Sequence, residues 1–179
     1  WNWLHKLRRA MVRPGRDRLS GQIEVDEVFI GGVRPGKRGR GAAGKTLVVI
    51  AVEEAEKGMG RIRLHQVADA AGESLEPAVW EMVEPGSTVC TDAWPGYNGL
   101  TELGYKHIVV RKKPDLGANL LPLVNRIASL LKRWLLGTHQ GAVEHSHLDY
   151  YLDEYTFRFN RRKSKSRGLL FYRLIGQAI

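Results

Sequence analysis

The chain has 179 residues, 43% of them hydrophobic, which suits one globular domain with its own core and excludes a disordered chain. No apolar run approaches the ~20 residues of a membrane helix, the basic start WNWLHKLRRAMVRPGR lacks the apolar stretch of a signal peptide, and a first residue other than Met suits a fragment. A single cysteine, Cys90, excludes a disulfide framework or a multi-cysteine zinc site within this stretch and fits a reducing cytosol, while the net charge of +9 points to an anionic partner.

Residues 2–12 read as a short helix, with Trp3, Leu4, Leu7 and Met11 at helical spacing, followed by the linker VRPGRDRLSG. Residues 22–30 read as a strand bounded by Gly21 and Gly31-Gly32. VRPGKRGRGAAGK (33–45) is a basic, Gly-rich loop. TLVVIAVEEA (46–55) is a second strand, EKGMG a turn, and RIRLHQVAD (61–69) a third strand, so the opening run forms an antiparallel meander. A helix over 74–84, with Ser74 as N-cap, stops at Pro85-Gly86. STVCTD (87–92) is a short buried strand, AWPGYNGL a turn with a short helix, YKHIVV (105–110) a fifth strand and RKKPDLGAN a basic loop. The strongest periodicity lies over 120–136, where Leu123, Val124, Ile127, Leu130, Leu131 and Trp134 form an apolar stripe. A last helix over 146–160, starting near Ser146, runs into the basic segment 158–167, and the terminal LLFYRLIGQAI is apolar enough to dock back on the core. The order β-β-β-α-β-α-β-α predicts an α/β protein of the RNase H-like fold, a mixed five-stranded sheet flanked by helices. Residues 1–18 form a short basic helix and linker, and 19–179 the main domain.

The strand IEVDEVFI (23–30) carries Glu24, Asp26 and Glu27, although strands disfavour Asp and a buried carboxylate is costly unless paired. In the predicted fold the first strand is central and its acids converge on one at the end of the fourth strand, which is Asp92. Two such carboxylates can bracket Mg²⁺, a hard cation that keeps several waters, and two ions a few Å apart would stabilise the attacking and leaving oxygens of a phosphoryl transfer. Each acid alone has a plainer reading, Asp26 on an exposed edge and Asp92 in the turn before Trp94-Pro95-Gly96. The pair, in this order and on these elements, favours the metal. Glu27 faces away from Asp26 in a regular strand and reads as a structural acid, while Glu24 shares the Asp26 face and could stand behind the ligands. The long helix offers no acid. Asn125 and Lys132, seven residues or two turns apart, lie on one helical face with Ser129 between them. They fit a weak metal ligand with a phosphate contact, and equally a structural Asn with a snorkelling Lys.

The charge is unevenly spread: residues 1–45 carry +7, 46–102 carry −7 and 103–179 carry +9. Two basic ends around an acidic middle suggest a polyanion gripped from both ends, nucleic acid rather than a merely solubilising surface, because the charge comes in clusters such as NRRKSKSR. Lys37, Arg38, Arg40 and Lys45 in the Gly-rich loop, Arg111, Lys112 and Lys113 after the fifth strand, and Arg158, Arg161, Arg162, Lys163, Lys165 and Arg167 are the candidate backbone contacts, the last group because few acids lie nearby in sequence. GRGAAGKT (39–46) meets the phosphate-loop spacing only loosely and follows no strand. His139, His145 and His147 near Glu144 read as polar residues at a helix start rather than as a zinc site, and Asp153 and Glu154 as charges on a helix face. Trp94 and Tyr97 read as turn packing, with base stacking as the alternative.

IEVDEVFIGG, TDAWPGYNGL, LKRWLLGTHQGAV and YLDEYTFRFNRRKSKSRG, in that order, resemble the insertion-sequence transposases of the ISXO-like type, over about residues 15–175. The resemblance implies a DDE-type enzyme with an RNase H-like catalytic core, of the branch in which Asn replaces the third acid and Lys follows seven positions later. Carried across, Asp26, Asp92 and Asn125 would hold the metal, Mg²⁺ or Mn²⁺ and two ions, with Lys132 as the basic partner. It further implies nicking at element ends and joining of the freed 3′-hydroxyl to target DNA, in the cytoplasm on bacterial DNA, by a homo-oligomer assembled on DNA and independent of any membrane. Family members usually carry an N-terminal zinc-ribbon and helix-turn-helix region, of which residues 1–18 would be the tail. A catalytically inactive DNA-binding remnant and an RNase H-type nuclease are the alternatives.

Overall fold

The β-branched runs become strands in the order the sequence suggests. In the computed structural model, which describes residues 2–12, 15, 17–31, 45–111, 120–139 and 145–178, β1 spans Gln22–Ile30, β2 Thr46–Ala55 and β3 Gly58–Val67. β1 and β2 pair antiparallel from Ile23↔Glu53 to Ile30↔Thr46, and β2 and β3 from Leu47↔Val67 to Ala55↔Gly58. The last pair leaves a two-residue hairpin closed by Gly58 at φ +89°, a conformation that glycine adopts without strain. β4 (Thr88–Thr91) lies parallel to β1 on its other edge, and β5 (Lys106–Val109) parallel to β4. The sheet order is therefore β3-β2-β1-β4-β5, with β1 central. A meander followed by parallel strands added beside its first strand is the RNase H-like arrangement that the element order predicts.

Helices cover both faces, as a sheet with apolar side chains on both sides requires. α2 (Gly72–Met82) and the 3₁₀ turn Pro95–Thr101 close one core around Ile23, Val25, Val49, Val79 and Tyr97. α3 (Pro122–His139) and α4 (Leu148–Asn160) close the other around Ile50, Ile62, Cys90, Ile127 and Leu131. Each such buried Leu, Ile or Val contributes roughly 1.5–3 kcal/mol. α1 (Asn2–Ala10) touches α4 and the final helix, α5 (Arg167–Ala178). Arg8 pins it: Nε donates to Glu154 Oε2 at 2.8 Å, and the guanidinium lies 4.3 Å over the Tyr151 ring. Among the described residues no helix is long and apolar enough to cross a membrane.

Three local expectations change. α2 begins at Gly72, and Ser74 is not its N-cap. The N-cap is Ala71, with no side-chain cap bond; Asp69 bonds the Ser74 side chain and accepts the Ala71 N–H at 3.0 Å, and the two bonds hold its carboxyl below the usual range. α3 runs to His139 rather than 136, and a 3₁₀ turn at His145–His147 precedes α4. The terminal apolar segment does not dock on the core: α5 leaves Leu169, Phe171 and Tyr172 exposed. The reason is steric, since α3 and α4 already cover that face of the sheet.

Candidate active site

Alternation along β1 sorts its acids. Ile23 and Val25 enter the α2-side core, and Glu27 follows them on that face. Glu24 and Asp26 point to the other face, beside Val28 and Ile30. The parallel pairs Gln22↔Thr88, Ile23↔Val89 and Glu24↔Cys90 share one offset (88 − 22 = 66). That ladder ends at Glu24↔Cys90; Asp92 lies one residue past β4, and its charge and that of Asp26 both reach Tyr97. Both acids are half-buried: Asp26 is the fifth residue of the nine in β1, and Asp92 follows the carboxyl end of β4. Open α/β sheets bind ligands there.

Backbone amides orient both carboxylates. Asp26 Oδ1 accepts the Glu27 N–H at 2.8 Å, and Asp92 Oδ1 the Trp94 N–H at 3.0 Å. The loop after Asp92 is fixed by close packing. The Trp94 indole donates to the Ala70 carbonyl at 2.7 Å, and Gly99 N–H to Glu76 at 3.0 Å. A Cβ on Gly96 would sit 2.6 Å from the Ala70 backbone oxygen, so that position needs glycine, while one on Gly99 would displace the Glu76 carboxylate. Tyr97 is fully buried and donates to Glu27 Oε2 at 2.9 Å. Burial, then the charges of Glu27, Asp26 and Asp92, push its phenol far above the usual range, so it remains a donor. Tyr97 is thus a packing residue and has no exposed face for a base, and Trp94 is tied to Ala70. Behind Asp92, the Thr91 hydroxyl donates to the Asp92 carbonyl at 2.8 Å and accepts from His107 Nε2 at 2.8 Å. Burial lowers the His107 pKa and favours the neutral ring.

α3 brings the third element. Its first residue, Pro122, has no N–H, and the next two amides, Leu123 and Val124, donate to Glu24 Oε2 at 2.8 and 3.0 Å. Burial raises the Glu24 pKa and these two bonds oppose it. Asn125, in the same turn, is exposed, and its Nδ2 donates to the Leu121 carbonyl at 2.9 Å. Ser129 Oγ donates to the Asn125 carbonyl at 3.0 Å. Two turns on, partial burial and then the Lys45 charge lower the Lys132 pKa.

The donor set suits a hard cation. Asp26 and Asp92 supply carboxylate oxygens, and the one thiol on that face, Cys90, has its pKa raised by burial and by Glu24 and Glu54, which keeps it protonated. Among the described residues no three His, Cys, Asp or Glu side chains are grouped to hold a metal, so a third protein ligand has to come from outside that set. The histidines go elsewhere. His139 packs on Trp134 and Tyr151 with centroids at 4.8 and 4.5 Å, and His147 stacks on His5 at 4.9 Å. Glu144 and the His145 side chain lie outside the described residues.

The basic candidates divide. Lys37, Arg38, Arg40, Lys112 and Lys113 lie outside the described residues. Arg111, Lys163, Lys165 and Arg167 are exposed. Arg158 does have an acidic partner, since Nε and Nη2 both reach Glu154 Oε1 at 2.8 Å. Arg162 donates to the Phe159 and Gly60 carbonyls at 2.9 and 3.3 Å and to Met59 at 2.5 Å, stitching α4 to the β2–β3 hairpin. Arg161 stacks on Phe157 at 4.0 Å. Sequence spacing missed these partners, along with Glu24 at α3 and Tyr97 at Glu27, because each lies across the fold or one helical turn away.

This sheet order, with β1 central and β4 and β5 parallel beside it, is that of an RNase H-like domain, and its family match makes it a transposase catalytic-type domain. Residues 18–160 match the ISXO2-like transposase domain, and the chain belongs to that family. Among solved structures it is similar to the Mos1 transposase paired-end complex with left transposon end, at 14% identity over 99% of this chain and 62% of that one, with TM-score 0.37. It is also similar to the Mos1 Strand Transfer Complex, at 13% identity over the same shares, with TM-score 0.35. The chain thus spans less than two thirds of the length of either. No curated protein matches it.

Proposed function

We propose that this domain cuts DNA at the ends of a mobile element and joins the freed 3′-hydroxyls to target DNA, by divalent-metal-dependent phosphoryl transfer. The observation that supports the reading is Asp26 on the central strand and Asp92 just past the parallel strand beside it, both near enough for their charges to act on Tyr97. These two acids would hold Mg²⁺ or Mn²⁺, two ions in the active complex, with Asn125 as the third ligand. When bound, the metal would stabilise charge on the attacking and leaving oxygens. The protein's own part is to orient: backbone amides aim both carboxylates, and Lys45 and Lys132 offer adjacent positive charge to a phosphate. Arg111, Lys163, Lys165 and Arg167 would hold the DNA backbone, together with Lys37, Arg38, Arg40, Lys112 and Lys113. The working unit would be a homo-oligomer on paired ends in the bacterial cytoplasm, with residues 1–18 continuing an end-binding region and 19–179 forming the catalytic domain.

The test is cleavage and joining of element-end DNA with Mg²⁺ or Mn²⁺. Asp26→Asn and Asp92→Asn should each lower both activities by about 10²–10³-fold or more, and wild-type activity in either variant overturns the assignment. Cleavage without joining would instead mark a nuclease. A second reading, a DNA-binding remnant without catalysis, draws on the absence of a three-residue acidic group among the described residues and on the Asn125 amide bonded to Leu121. It requires DNA affinity with no Mn²⁺ binding at Asp26 and Asp92.

A further inference from the structure

The metal site uses one of the three carboxylates on β1. Each of the other two is bonded to an element that delivers a different member of the site. Glu24 stands two residues before Asp26 on the same face, and its Oε2 receives the Leu123 and Val124 amides, the first two donors α3 has to offer after Pro122. An anion at a helix N-terminus is favoured by the exposed amides and the helix dipole. Here the cap comes from 99 residues away, so it fixes the Asn125 turn to β1 as well as satisfying the helix. Glu27, on the opposite face, accepts the hydroxyl of Tyr97, which sits five residues past Asp92 in the loop that Gly96, Gly99 and Trp94 press onto α2.

We propose that Glu24 and Glu27 are positioning residues that set the metal site from its two sides. Glu24 ties the Asn125-bearing turn to β1, and Glu27, through Tyr97, holds the loop that follows Asp92 against the same strand. The inference rests on Asp26 and Asp92 as the metal ligands, and it treats the DE pair in VDEVF as two devices on two faces. Neither glutamate touches the metal or the DNA, so their effect passes through geometry: an oxygen acceptor is needed at each position, and a negative charge is not.

The experiment is Mn²⁺ titration of the 179-residue chain, read by electron paramagnetic resonance, beside the Mn²⁺ dependence of DNA cleavage. Partners that orient metal ligands typically govern affinity by about 10–100-fold. Glu24→Ala and Tyr97→Phe should weaken Mn²⁺ binding within that range and raise the Mn²⁺ needed for half-maximal cleavage in parallel. Glu24→Gln and Glu27→Gln keep an acceptor oxygen and should stay within about threefold of wild type, well short of that loss. Tyr97→Phe preserves volume, so it serves if Glu24→Ala does not fold. If Glu24→Ala and Tyr97→Phe bind Mn²⁺ as wild type does while Asp26→Asn does not, the positioning roles are wrong and the ligands stand. If Glu24→Gln loses as much as Glu24→Ala, Glu24 acts by charge, as a ligand would. If Asp26→Asn and Asp92→Asn both bind Mn²⁺ normally, the ligand reading and this inference fall together.

Discussion

Asp26 is tolerated in its strand because it is only half-buried and its Oδ1 accepts the Glu27 amide, whereas Ile23 and Val25 on the opposite face are fully buried. Tyr97 shows the cost of holding such acids together. It is a buried donor among three carboxylates, and without its hydroxyl Glu27 loses a partner in a site shielded from water. Tyr97→Phe should therefore cost about 1–3 kcal/mol in urea unfolding. Gly96→Ala meets a harder obstacle, because its Cβ would sit 2.6 Å from the Ala70 backbone oxygen, which also accepts the Trp94 indole. A fall in thermal midpoint of several degrees is expected, roughly 2–4 °C for each kcal/mol in a chain of this size. An unchanged midpoint would show that the loop can shift. The residue types of this loop were legible in TDAWPGYNGL, but their partners Ala70, Glu76 and Glu27 were not, since nothing in the sequence spacing links them.

At the scale of elements, α1 and α4 are joined by Arg8 and Glu154, nearly sealed from solvent at 3% and 8% exposure. Glu154 keeps its bond to Arg158 when Arg8 is removed, so Arg8→Ala should destabilise by about 1–3 kcal/mol and free α1 to proteolysis near Lys6–Arg9. The pair also sets an acid limit. Burial alone would raise the Glu154 pKa, but the bonds from Arg8 and Arg158 outweigh it and leave the carboxyl below its ordinary value. A depressed folded pKa gives stability that is fully present above the unfolded glutamate value of about 4.3 and is lost as pH falls through the folded one. Thermal midpoints measured from pH 7 downward should hold to about pH 5 and then drop, and Glu154→Gln should start lower and drop less. The periodicity of 146–160 made α4 visible, and Glu154 on its face read as a solvated charge. Only the packing of α1 against that face shows it to be buried.

Across the whole molecule, the surplus of positive charge would give the proposed DNA binding a salt dependence, because each neutralised phosphate releases counterions. The exposed Lys163, Lys165 and Arg167 should each lower the slope of log affinity against log salt by about one when changed to Ala. Arg158→Ala and Arg162→Ala should instead lower the melting point with little change in that slope, since their guanidinium groups are engaged by Glu154 and by the β2–β3 hairpin. An equal loss of slope for all five would mean that DNA competes successfully for those two arginines. The sequence by itself determined the strands and helices, through apolar periods and glycine punctuation, and named Asp26 and Asp92, since an acid in a core-type strand is conspicuous. The parallel pairing of β4 beside β1, the capping of α3 by Glu24, the anchoring of the Asp92 loop by Tyr97 and the division of arginines between structure and surface were decided by the tertiary structure alone. Each depends on a pairing register or a contact between segments tens of residues apart, and hydrophobic period and local propensity carry no information about which distant segments meet.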